Sequence, residues 1–82
     1  MSRCIEFQRM IERGQPVEAV KALLRELQGD PGYIGAFYNL GLAFSAMDLT
    51  ALAKAAFELY LELAPDGYWS LQAKAELGRM EG

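Results

Sequence analysis

Shifted by 34 residues, the chain falls on itself: Met10 meets Phe44, Ala19 meets Ala53, Ala22 meets Ala56, Leu23 meets Phe57, Leu27 meets Leu61 and Pro31 meets Pro65. A unit of that length holds two helices and the turns that join them. This echo restricts the possible folds more than any single residue does. Composition points the same way, since twelve Ala and twelve Leu stand against six Val, Ile and Thr taken together. Ala and unbranched side chains lose little freedom in a helix, whereas β-branched ones lose more and favour strands.

Turn residues then divide the sequence at Gly14-Gln15-Pro16, Gly29-Asp30-Pro31-Gly32, Asp48-Leu49-Thr50 and Pro65-Asp66-Gly67. The segments between them predict five helices, at roughly 3–13, 16–28, 33–47, 50–64 and 68–80. Pro16 suits a first helical turn, where a missing N–H costs nothing. Asp48 or Thr50 is expected to cap the fourth helix. Connections this short fold consecutive helices back as antiparallel hairpins, so the expected fold class is all-α.

With 82 residues, 52% hydrophobic and 23% charged, the chain is sized for one folded domain. It has no His and one Cys, which leaves neither the usual general base nor a metal-ligand set. The expectation is therefore no enzyme, no cofactor, no metal and no small-molecule substrate. Glu58 and Glu62, one turn apart, read as a solvated face rather than a catalytic pair. A net charge of -3 has the wrong sign for a nucleic-acid partner. Cys4 reads as a small buried hydrophobe. The run Met1 to Met10 carries Arg3, Glu6 and Arg9, so it lacks the apolar core of a secretory signal. A cytoplasmic location with a reduced thiol follows as an expectation. The uncharged stretch 31–47 is too short for a membrane span and contains Pro31, Asn39 and three Gly.

Between residues 34 and 67 the sequence reads Phe37, Leu40-Gly41, Phe44, then Ala53, Phe57 and Pro65. This resembles the tetratricopeptide repeat (TPR), an aromatic, Leu-Gly and a second aromatic on one helix, then Ala and Phe on the next, then Pro. The resemblance implies one well-formed repeat at 34–67, a degenerate one at 1–33 and a capping helix at 68–82, stacked as an α-solenoid. Small Gly41 and Ala53 would let two helices approach closely, and Phe44 and Phe57 would fill the volume beside them. Tyr60 departs from the pattern, which has a small Ala there. In the last helix Leu71, Ala75 and Gly78 are expected at the helix contact, with Lys74, Glu76, Arg79 and Glu81 turned outward.

The family presents a concave face that receives partner segments. Carried onto this chain, that face comprises Cys4, Gln8, Tyr38, Asn39, Leu42, Ser45, Trp69 and Ala73. The expected function is a protein-protein interaction module, a scaffold binding a helical or extended partner segment, or a second copy of itself, through an apolar groove. Alternatives are a small chaperone shielding a secreted or fibre-forming subunit, and a permanent subunit of a larger complex. Some members clamp acidic tails with Lys, Asn and Arg. Here Asn39 matches one such position, but Cys4, Gln8, Trp69 and Ala73 supply no basic group, so the clamp cannot be assembled. Arrays of this kind need about three repeats to stand alone, so self-association or a partner is expected.

Overall fold

The computed structural model describes residues 3–81, and among these it contains five helices and no strand. They are α1 (Arg3–Glu12), α2 (Pro16–Gly29), α3 (Gly35–Ala46), α4 (Thr50–Leu63) and α5 (Ser70–Glu81). The fold is all-α, as the composition and turn residues predict. Pro16 opens α2, where its fixed φ suits a helix start. Helix α3 lies in the middle and packs against α1, α2 and α4, while α5 packs against α4. This burial accounts for an uncharged α3: six of its residues, Ala36, Tyr38, Asn39, Leu40, Gly41 and Ala43, are buried.

The connections repeat with the same 34-residue offset as the sequence. Helix α1 ends with Gly14 N–H donating to the Ile11 carbonyl and Gln15 N–H to the Met10 carbonyl. Helix α3 ends with Asp48 N–H donating to Ser45 and Leu49 N–H to Phe44. Both are the paired bonds of a Schellman turn, which needs a left-handed residue just past the helix. Gly14 has φ 79° and Asp48 φ 60°. The next turns match too, with Tyr33 N–H to Asp30 and Ala36 N–H to Tyr33 paralleled by Gly67 N–H to Ala64 and Ser70 N–H to Gly67.

The expected cap of α4 is corrected by this turn. Leu49 occupies the capping position and makes no side-chain capping bond. Asp48 is consumed in closing α3, and Thr50 already lies inside α4. The Leu49 carbonyl still accepts from Ala53 N–H at 2.9 Å, so the first helical bond forms from the backbone alone.

Two apolar clusters fill the interior described. One gathers Cys4, Phe7, Leu23, Tyr33, Ala36, Leu40 and Ala56; the other gathers Tyr38, Ala53, Phe57, Tyr60 and Ala73. Phe37, Phe44 and Trp69 pack against both. Ala19, Ala53 and Phe57 are wholly buried. At Gly41 an added Cβ would come within 2.5 Å of the Phe57 ring, so α3 and α4 touch where no larger residue fits.

Helix α5 uses a different face from the one expected. Ser70 and Ala73 point inward, and Leu77 and Met80 pack on the second cluster. Leu71 is 75% exposed, and Ala75 and Gly78 are exposed with it. One offset earlier these positions are Phe37, Gly41 and Phe44, the stripe on which α4 sits. No described helix follows α5 to occupy the equivalent seat. Of the outward charges, Lys74, Arg79 and Glu81 are exposed, whereas Glu76 is half-buried and pairs with Arg79.

Candidate protein-binding face

Each residue of the expected groove has a definite place. Tyr38 is only 5% exposed. Its ring stacks flat on Trp69, centroids 5.1 Å apart and planes 2° apart, and tilts against Phe57 at 5.7 Å and Tyr60 at 5.9 Å. These rings close over Tyr38, so it is core and not a groove surface. Burial raises the pKa of its phenol, and nearby Glu76 adds to the shift. Trp69 stays half-exposed, its indole also meeting exposed Tyr68 edge-on at 4.6 Å.

The position of Trp69 depends on Tyr60. The Tyr60 hydroxyl accepts from the Trp69 backbone N–H at 2.9 Å. It also occupies the space beside Gly67, where an added Cβ would stand 2.6 Å from that oxygen. Tyr60 thus fixes the entry into α5 and, through Trp69, the lid over Tyr38. A large polar-tipped residue where the resemblance led to the expectation of a small one was the available sequence signal; its partner on the next turn was not.

At the other end, Cys4 and Asn39 are buried as well. The Cys4 thiol and the Tyr33 hydroxyl are 3.5 Å apart. Burial and this contact push the Tyr33 phenol far above its ordinary pKa. The Arg3 guanidinium lies 3.8 Å over the Tyr33 ring and donates to Glu26 at 2.9 Å and Asp30 at 3.0 Å. These carboxylates raise the pKa of Arg3. Arg3 and Tyr33 belong to this end of the face although neither was expected there. Asn39 is wholly enclosed, and its amide lies beside the Tyr33 phenol, where hydrogen bonding from it opposes the rise in that phenol's pKa.

Ala73 is wholly buried under α4. Of the eight expected groove residues, Cys4, Tyr38, Asn39 and Ala73 are therefore interior, because α1 and the rings of α4 and Trp69 cover them. Gln8, Leu42, Ser45 and Trp69 keep partial exposure. Leu42 packs against the second cluster from its edge. The repeat-motif residues Leu40, Gly41, Ala53 and Phe57 are buried, Phe37 and Phe44 are half-buried, and Pro65 is exposed in the turn after α4. No helix among the described residues is long and apolar enough to cross a membrane.

Compared with known proteins, the chain matches no family model, no curated protein and no solved structure.

Proposed function

We propose that this chain is a TPR-like protein-interaction module that receives a helical or extended segment of a partner protein on the face bearing Gln8, Leu42, Ser45 and Trp69. The observation that carries the reading is the recurrence of the turn hydrogen bonds 34 residues apart, at Gly14 and Asp48 and again at Tyr33 and Gly67. Repeated hairpins stack so that one helix of each pair lines a common face, and such faces serve as binding surfaces. On that face Leu42 and Trp69 offer half-exposed apolar surface, with Gln8 and Ser45 as polar neighbours. Burial of Tyr38 makes this a shallow aromatic-floored surface rather than a deep groove. A cytoplasmic setting belongs to the same proposal, with Cys4 enclosed as a thiol.

The test is selection of binders from a displayed library of helical and extended peptides, followed by Leu42→Glu. Leu42 is only half-buried, so the substitution leaves the thermal melt within a few degrees of wild type while weakening binding by roughly tenfold or more. The single Trp reports binding directly by fluorescence. Binders that tolerate both Leu42→Glu and Trp69→Ala would place the binding face elsewhere.

A further inference from the structure

The exposed face of α5 is a helix seat without a described occupant. Tyr68 is 84% exposed and Leu71 75%, and Ala75 and Gly78 continue the same stripe one and two turns on. One 34-residue offset earlier, the corresponding stripe of α3 is covered by α4. That covered seat works by setting a large residue against a small one, the Phe57 ring against Gly41. The α5 stripe has the same opposition within itself: Leu71 is large and projects, while nothing lies within 4 Å of the Cβ position of Gly78.

We propose that the chain pairs with a second copy of itself through α5, the two helices antiparallel about a two-fold axis at Ala75, with Leu71 of each copy seated against Gly78 of the other. Antiparallel pairing is what shape requires. A parallel pair would set Leu71 against Leu71 and leave the two Gly78 positions facing across a gap. Small residues at the crossing allow an axis separation near the lower end of the usual 8–10 Å, about 8 Å. Charge does not oppose the pairing, because Lys74 and Arg79 balance Glu76 and Glu81 along α5. It also places Lys74 of one copy on the same flank as Glu81 of the other, a carboxylate that within its own chain lies 3.8 Å from Lys54 and stays largely exposed. Two helices of this length bury less than about 1,200 Å², so the dimer is a weak, concentration-dependent one. The α5 face is distinct from that bearing Leu42, so this proposal does not depend on the partner-binding reading.

Sedimentation equilibrium over a concentration series tests it. Wild type is expected to pass from monomer to dimer. Leu71→Glu and Gly78→Leu, both at exposed sites and both folded by circular dichroism, are expected to weaken dimerisation by roughly tenfold or more. Leu42→Glu is expected to leave it unchanged. Oxidation of Ala75→Cys is expected to give a covalent dimer, since residues on the axis meet the short Cα separation a disulfide needs. Gln72→Cys, displaced from the axis, is expected to give little. A wild type monomeric at every concentration overturns the proposal, as does dimerisation insensitive to Leu71→Glu or lost with Leu42→Glu instead. Equal crosslinking at positions 72 and 75 overturns the antiparallel register.

Discussion

At Gly41 a single methyl group would be enough to force α3 and α4 apart. Its Cβ would lie 2.5–2.7 Å from three atoms of the Phe57 ring, and Phe57 is wholly buried with no room to retreat. Gly41→Ala gains helix propensity worth about 1 kcal/mol but overpacks the contact at about 1–3 kcal/mol, so the net expectation is a lower melting temperature. An unchanged or raised melt would show that α3 and α4 have slack at this point. Tyr33 and Tyr38 act through protons. Both phenols have pKa values above the ordinary 10.0 in the folded chain, chiefly from burial. Folding therefore favours their neutral form. That contribution is complete below about pH 10, where the unfolded phenols are also neutral, and is lost as pH rises above it toward the folded values. The melting temperature is expected to fall as pH rises above about 10, and less steeply in Tyr33→Phe. A slope unaltered by that substitution would remove Tyr33 from the alkaline transition.

Elements show where the hairpin pattern is strained and where it is relaxed. Gly14 and Asp48 occupy the same left-handed position at the ends of α1 and α3. Glycine takes that conformation freely, whereas for Asp the Cβ costs roughly 1 kcal/mol even though Asp and Asn tolerate it better than most. Asp48→Gly is expected to stabilise the chain by up to about 1 kcal/mol in urea unfolding, because it relieves the positive φ of 60° that Asp48 holds. Destabilisation instead would mean that the carboxylate performs some service at this turn. Helix α1 is anchored differently, by Arg3 across to Glu26 and Asp30 and over the Tyr33 ring. These charged groups are substantially exposed, so each pair adds little. Cys4 and Phe7 in the first cluster hold α1 more firmly than its ion pairs do.

For the molecule as a whole, the two apolar clusters are joined by the rings that belong to both, Phe37, Phe44 and Trp69. Loss of either cluster strips contacts from the other, which is the condition for all-or-none unfolding in a domain this small. Helix content by circular dichroism and Trp69 fluorescence are therefore expected to trace one coincident transition. An earlier fluorescence transition would mean that α5 and the turn before it detach from α4 while the first hairpins persist.

What the sequence determined by itself is the portion of the fold governed by local rules. Helix-forming composition, Gly and Pro at the turns, and the repeat offset placed every described helix within two residues of its observed ends, Pro16 and the Asp30-Pro31-Gly32 turn included. That Gly41 and Ala53 are small and Phe57 bulky at the α3–α4 crossing was legible for the same reason, since residue volume is written in one dimension; that the Phe57 ring itself sits against Gly41 came only from the packed helices. The face open to a partner was not. Periodicity gives the side of a helix on which a residue lies but not what approaches that side. The enclosure of Tyr38 depended on Trp69, Tyr60 and Phe57, which converge from α4 and the turn before α5, and that of Asn39 likewise required the neighbouring helices to be in place. The stripe of Leu71, Ala75 and Gly78 shows the converse. Its pattern marks a helix contact, but only the packed chain decides whether a helix is there to make it, and among the described residues none is.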